Sequence, residues 1–346
     1  MNTQPNASGA LAGAITKAAS QQTYYTIRFL VDHERVVDAY RAYAYFRWVD
    51  DRLDGPDSAG PEAIAFAGRQ QALLESCYRG APPADLCAEE RLLAELVAQD
   101  TEVNSGLQIY LRQMMAVMVF DVGRRGRLIT QAELAEYSRK LATAVTEAMH
   151  YFIGHAEPAP RHPARYLAVT AAHITHMLRD TREDVAAGYF NIPREHLQAR
   201  GITAHDVDSR AYREWVCSRV QLARQYFRAG RQYLAQVRNW RCRLAGHAYA
   251  ARFEWMLRVI ERDYYCLRSE YGQRRSLGAG LWMGWSTLAS LFTPAGPRRL
   301  AAQPVRNEDR GRHWRRAGRD HRRHPPGQAG LARDRRREER PARRAL

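Results

Sequence analysis

The chain has 346 residues, with 53 lysines and arginines against 37 aspartates and glutamates, a formal net charge of +16 and five cysteines. The cysteines (Cys77, Cys87, Cys217, Cys242, Cys266) are scattered without C-x-x-C spacing, which excludes a disulfide framework or zinc site and fits reduced thiols in a cytoplasmic protein. The first twenty residues are small and polar, with no basic stretch before their short apolar patch, so residues 1–20 read as a flexible N-terminus rather than a signal peptide.

No Pro/Gly/Ser-rich linker divides residues 21–293, which read as one helical domain. From Thr23 onward apolar residues recur at helical spacing and strand signals are nearly absent. One or two helices are expected over 24–54, then helices over 61–79, 88–101, 105–122 and 131–154. Prolines mark a loop at 158–163, a helix follows over 164–187, and an irregular segment runs to 208. Helices over 209–238, 240–271 and 276–292 complete the pattern. Long helices without β-periodicity predict an all-α fold, a single large helical bundle around a central cavity.

The methionine-rich stretch 107–122 reads as a core helix. Leu277 to Phe292, with Trp282 and Trp285, falls short of the roughly 20 residues a membrane span needs. It reads as a last core helix or as a surface that docks on a membrane. Residues 298–346 hold 17 arginines against 6 acidic residues, a net +11 of the chain's +16. Without apolar periodicity, the segment 294–346 is expected to be a disordered Arg-rich tail, of the composition a GC-rich gene yields out of frame. It would attract anionic lipid or nucleic acid without specificity. His150, His155 and His162 straddle the proline-rich loop and read as surface residues.

Two stretches carry the chemistry. Tyr40, Tyr43, Arg47, Asp50 and Asp54 lie three or four residues apart and share one helix face ahead of Gly55-Pro56. Val169, His173, His176, Asp180 and Asp184 form a second such stripe, with Arg179 just before its first aspartate. Like charges at i and i+4 repel. Two such pairs, each flanked by arginine, therefore imply solvated carboxylates or carboxylates that hold cations against an anionic substrate. Facing each other across a helical cavity, they would hold Mg²⁺, which prefers a few carboxylates plus phosphate oxygens and water. If these carboxylates are solvated, their removal should leave stability little changed.

These residues resemble the squalene/phytoene synthase family, the head-to-head prenyl diphosphate synthases of the all-α isoprenoid-synthase fold. The matching segments are Gln22-Thr-Tyr-Tyr25, Phe46-Arg-Trp-Val-Asp-Asp-Arg-Leu-Asp54, and Met177-Leu-Arg-Asp-Thr-Arg-Glu-Asp184 with Gly188-Tyr-Phe-Asn-Ile-Pro193. The resemblance implies a prenyltransferase of isoprenoid or carotenoid biosynthesis. It would condense two farnesyl or geranylgeranyl diphosphates, through a cyclopropylcarbinyl diphosphate, to a squalene- or phytoene-like product. It also implies Mg²⁺ on Asp50, Asp54, Asp180 and Asp184, and substrate contacts from Thr23, Tyr43, Arg47, Arg179, His173 and His176. The methionine-rich helix would then line a pocket for a prenyl tail, and apolar products would suit peripheral contact with a membrane. The residues leave open the substrate chain length, the use of NADPH and the oligomeric state.

Departures from the family pattern are His176 in place of an asparagine, His173 in place of a glutamine, Arg139 and Phe253 in place of tyrosines, and Glu270 near an expected arginine. A ring nitrogen at 176 would suit Mn²⁺ better than Mg²⁺. The same resemblance admits a non-catalytic scaffold protein, although intact aspartate pairs favour an enzyme.

Truncation after Pro297 should leave folding intact, because the tail lacks the apolar content to join a core. Adsorption to anionic vesicles should fall sharply at low salt, with the difference vanishing as salt screens the charge. Insoluble truncated protein would refute the reading of the tail.

Overall fold

The computed structural model describes residues 7–53 and 60–271. Asp54, the helix expected over 276–292 and the segment 294–346 lie outside the described residues. Among the described residues there are eleven α-helices and no strand: α1 Ala7–Ala19, α2 Gln21–Leu30, α3 Val36–Leu53, α4 Pro61–Tyr78, α5 Ala88–Ala98, α6 Gly106–Arg124, α7 Gln131–Phe152, α8 Leu167–Ala186, α9 Arg194–Arg200, α10 Arg210–Leu234 and α11 Trp240–Arg262. None of the described helices is long and apolar enough to cross a membrane.

Helix starts follow local chemistry. Thr130 and Glu133 form a capping box on α7, with bonds of 2.7 and 3.1 Å. Ser105 accepts from the Gln108 N–H at 2.8 Å, and Asn239 from the Cys242 N–H at 3.1 Å. The methionine-rich stretch is α6, with Leu107, Leu111, Met114, Met115 and Met118 buried as the core reading requires. α6 packs along α7, α7 on α8, and α8 against both α10 and α11.

The N-terminus corrects the expectation of a flexible segment. Ala7–Ala19 form α1, in which Ala12 and Thr16 are completely buried. A helix of alanines and glycines carries little apolar surface of its own, so its sequence signal is weak. Its small side chains nevertheless let it lie close to α3, and tertiary packing supplies the stability. Arg41 of α3 fixes the contact by donating to Ser8 at 3.0 Å and to Glu95 of α5 at 2.8 Å. A second correction concerns His150, which lies not on the surface but against Tyr233, with its Nδ1 3.3 Å from the Cys242 sulfur.

Three chain segments meet at Asp32. Its buried carboxylate accepts from the Gly154 and His155 N–H groups at 3.0 Å, where α7 ends, and from Arg241 of α11 at 2.5 Å. Arg241 also donates to the carbonyls of Leu30 and Val31 at 3.1 and 3.3 Å. Gly154 is required here: its φ is +77°, and a Cβ would sit 2.5 Å from Asn239, the cap of α11.

Burial alone would raise the Asp32 pKa, but the two backbone N–H groups and Arg241 outweigh it and hold it below the ordinary value of 3.8. A depressed folded pKa contributes stability above the unfolded pKa and loses it as pH falls through the folded one. Asp32→Ala should therefore cost about 3 kcal/mol in urea unfolding at neutral pH, with the difference from wild type shrinking below the ordinary aspartate pKa. A neutral-pH cost under about 0.5 kcal/mol, the scale of a featureless surface change, would show that Asp32 does not tie these segments together.

Candidate active site

The first stripe lies on α3, beside the start of α2. Tyr40 is structural: its ring stacks on Tyr24 at 5.1 Å and its hydroxyl donates to the Tyr24 carbonyl at 3.2 Å. One turn on, the Tyr43 hydroxyl is buried without a partner of hydrogen-bond geometry among the described residues. Its surroundings are Thr23, Ser20, Arg47 and Asp50; burial raises its pKa, against the pull of the Thr23 hydroxyl and the Arg47 charge. Ser20 caps α2 and holds the Thr23 hydroxyl at 2.9 Å. Arg47 lies 3.4 Å from Asp50 and donates through Nε to Asp51 at 3.1 Å. Thr23, Tyr43, Arg47 and Asp50 are thus brought together, and Asp51 joins them as a second carboxylate on the arginine.

The second stripe lies on α8. Arg179 grips Asp180 with two bonds of 2.5 and 2.6 Å, and the His176 Nε2 lies 2.8 Å from the same carboxylate. Burial alone would raise the Asp180 pKa, but these partners overcome it and leave the group well below the ordinary carboxylate range. His173 is buried edge-on to the Tyr137 ring at 5.0 Å, and its Nε2 has no hydrogen-bond partner among the described residues. Burial, together with the nearby charges of His176, Arg124 and Arg219, drives its pKa down to about 3, so the ring is neutral.

Asp184 is held from outside its own helix. Its Oδ2 accepts from Asn191 at 2.8 Å, and the Asn191 carbonyl accepts from buried Arg124 at 2.9 Å. Arg124 in turn donates to Asp121 at 2.6 Å, and the Tyr137 hydroxyl donates to the other Asp121 oxygen at 2.9 Å. The turn that delivers Asn191 needs Gly188, at φ +84°, whose carbonyl accepts from the Gly126 N–H at 2.8 Å. Asp121, Arg124 and Asn191 escape a reading of the sequence by motif. The faint signal is the i, i+3 Asp/Arg pair at the end of α6, and Asn191 lies inside a matched segment that draws attention for its Gly and Pro alone.

α6 serves both groups. Near its start, Tyr110 lies edge-on to Phe46 at 5.4 Å and neighbours Tyr43, while its end supplies Asp121 and Arg124. Of the departures from the family pattern, Phe253 lies between His176 at 6.3 Å and Tyr249 at 5.1 Å. Arg139 and Glu270 are elsewhere: Arg139 pairs with Glu136 at 2.7 Å on the surface, and Glu270 is exposed.

The oxygen donors suit a hard divalent cation. Among the described residues no three His, Cys, Asp or Glu side chains converge to cage an ion. An ion on Asp50, Asp180 or Asp184 would therefore complete its shell from phosphate oxygens and water, as Mg²⁺ does. The residues present fit that ion. His176 does not offer Nε2 to a metal in this arrangement, because Asp180 holds it.

Of the two alternatives for the aspartate pairs, the solvated one does not describe Asp180, whose side chain is only 18% exposed. Asp180→Asn should lower unfolding stability by about 1.5–3 kcal/mol at neutral pH, the scale of a hydrogen bond to a charged group. By the sign rule for a depressed carboxylate, the gap from wild type should hold above the ordinary aspartate pKa and close as pH falls below it. A variant as stable as wild type at pH 7 would show that Arg179 gains nothing from Asp180.

Several known proteins share this arrangement of helices or its sequence. The phytoene synthase of Thermus thermophilus is 28% identical over 286 residues, covering 80% of this chain and 91% of that protein. The presqualene diphosphate synthase of Zymomonas mobilis is 28% identical over 200 residues, covering 55% of this chain and 62% of that protein. The squalene synthase HpnC from Alicyclobacillus acidocaldarius superposes with a TM-score of 0.62 at 18% identity, over 78% of this chain and 98% of that one. A dehydrosqualene synthase in complex with ligand gives 0.64 at 17% identity, over 82% and 96%. These structures establish the isoprenoid-synthase fold. The squalene/phytoene synthase family matches residues 16–277, and the chain belongs to that family of prenyltransferases.

Proposed function

We propose that this prenyltransferase joins two farnesyl or geranylgeranyl diphosphates head to head, releasing diphosphate, at the two arginine–aspartate groups of α3 and α8. One observation carries the reading. In a chain of this family, Arg47 with Asp50 and Arg179 with Asp180 stand beside polar atoms that no hydrogen bond among the described residues satisfies, the Tyr43 hydroxyl and the His173 Nε2. Buried polar atoms without partners cost free energy, and a bound diphosphate would satisfy them. Relatives named phytoene synthase and presqualene diphosphate synthase support the product class.

Asp50, Asp180 and Asp184, with Asp54 outside the described residues, would hold Mg²⁺. When bound, that ion neutralises the diphosphate and makes it a better leaving group. Arg47 and Arg179, now engaged with carboxylates, would share their donors with diphosphate oxygens as the charge develops. Tyr43 would donate its hydroxyl to the same anion, with Thr23 alongside. Asn191 and Arg124 would keep Asp184 in place, and His176 would orient Asp180. The rings of Phe253 and Tyr249 would face an allylic cation and shield it from water until the second double bond attacks. The intact carboxylates and the enzymes among the relatives leave the scaffold reading without an observation in its favour.

Purified protein incubated with farnesyl or geranylgeranyl diphosphate and Mg²⁺ should release diphosphate and form a C30 or C40 product. Asp50→Ala and Asp180→Ala should each lose about a hundredfold or more, the scale of removing one partner of developing charge. Full turnover by both variants would refute the metal-holding role. His176→Asn should leave Mg²⁺ preferred over Mn²⁺, as in the wild type. A wild type that prefers Mn²⁺, reversed by this substitution, would instead make His176 a ligand.

A further inference from the structure

Arginines on α10 and α11 are mostly accounted for. Arg224 pairs with Glu261 at 2.7 Å, and Arg231 with Glu254 at 2.7 Å. Arg219, Arg243 and Arg252 are different: among the described residues none has a carboxylate partner or a hydrogen bond, and all three are half-buried; Arg219 and Arg252 are the two whose charge acts on groups of α8. Arg219 lies one turn from Val216 and one turn from Ala223, both fully buried, so it is on the inward face of α10. α10 runs antiparallel to α8, with Gly230 against Ala168 and Tyr212 beside Thr181. That register sets Arg219 level with the segment from His173 to Arg179. Arg252 lies next to Phe253, whose ring is 6.3 Å from His176, and its guanidinium is 5.7 Å from the Phe253 ring.

Unpaired charges inside a protein are expensive, and removing a guanidinium from water without an anion is not compensated by packing. The cost is visible in both groups. Burial pulls the pKa of each below the usual arginine value, and the charge of Arg179 adds to the effect on Arg252. Arg219 also reaches His173, helping to hold that ring neutral. Arg219 thus acts on His173 and Arg252 lies within reach of the Arg179 charge, so three guanidinium groups fall along one stretch of α8, with Asp180 as the carboxylate that answers Arg179. The His173 Nε2 adds an unsatisfied polar atom beside them. Positive charge left over at a half-buried site suits an anion of more than one negative charge.

We propose that Arg219 and Arg252, together with Arg179, form a seat for the diphosphate group of a prenyl ligand that needs no metal ion. The inference rests on the proposed prenyl diphosphate chemistry and adds two residues to it that carry no motif. The guanidinium forks supply several N–H donors to phosphate oxygens, and a neutral His173 can donate from Nε2. The seat would grip a diphosphate by charge and hydrogen bonding from one side, leaving the aspartates to act through metal from the other.

The test uses the full chain, with EDTA to remove divalent ions and high salt to screen exposed arginines. Binding of inorganic pyrophosphate and of a non-ionisable prenyl thiodiphosphate is measured by calorimetry, and the melting temperature without ligand is recorded. Wild type should bind both. Arg219→Gln and Arg252→Gln should each weaken both ligands tenfold or more while melting at the same or a higher temperature, because a costly unpaired charge is gone. Arg219→Lys should retain most of the binding. A prenyl thiodiphosphate bound at least tenfold more tightly than pyrophosphate assigns the seat to the substrate; equal affinity assigns it to the released diphosphate. Unchanged affinity in both glutamine variants overturns the proposal, as does a lower melting temperature in the ligand-free variants, which would make the arginines structural. The assay requires neither turnover nor metal, so a chain that failed to condense prenyl diphosphates would not by itself remove the seat.

Discussion

The constraint on which the structure depends is charge compensation along α8, a helix packed on three sides that still carries His173, His176, Arg179, Asp180 and Asp184. A carboxylate there must find donors or pay for desolvation. Asp180 finds them in its own helix, from Arg179 and His176. Asp184 draws on a relay that crosses three elements: Asn191 in the turn after α8, then Arg124 and Asp121 at the end of α6, then Tyr137 on α7. Arg124 is at once ion-paired, hydrogen-bonded and stacked over the Tyr137 ring at 4.9 Å. Such a relay fixes a carboxylate more firmly than a solvated side chain could be fixed, and a site that binds charged ligands benefits from that rigidity.

The rest of the bundle holds the two groups of the candidate site in place. Asp32 ties the end of α2, the end of α7 and the start of α11 at one point. α2 carries Thr23 and α11 carries Phe253 and Arg252, so that junction sets the position of groups on both sides of the candidate site. A comparable tie lies behind α3, where Tyr45 donates to Gln70 at 3.0 Å and Gln70 to Glu90 at 2.8 Å, joining α3, α4 and α5. These are buried polar contacts with their partners satisfied, and they select one arrangement of helices over others of similar apolar burial.

Set against these satisfied networks, the unsatisfied groups are informative. The Tyr43 hydroxyl, the His173 Nε2 and the guanidinium groups of Arg219 and Arg252 all lie beside the two stripes that carry the aspartates. Polar groups without a hydrogen-bond partner among the described residues gather there. An oxygen-rich anion would satisfy them, in keeping with the proposed diphosphate ligand.

Periodicity alone determined that this chain is a helical bundle, and it placed most helices within a few residues, because helix faces are written in local spacing. The two aspartate stripes were equally legible, since i and i+4 residues share a face whatever the tertiary fold. The family resemblance rested on those same short segments. α1 was not legible, because a helix of alanines and glycines becomes stable only against α3. Nor was the state of Asp180, which spacing leaves either solvated or holding a cation and the structure places in the grip of Arg179. Asn191, Arg124 and Asp121 are separated by up to 70 residues in the sequence and meet only through the docking of the turn at Gly188 on the loop at Gly126. Arg219 and Arg252 look in the sequence like any other arginine of a basic chain. Only the packing of α10 and α11 on α8 decided that these two face inward without a carboxylate, because pairing of charges is a property of neighbours in space and not of neighbours in the chain.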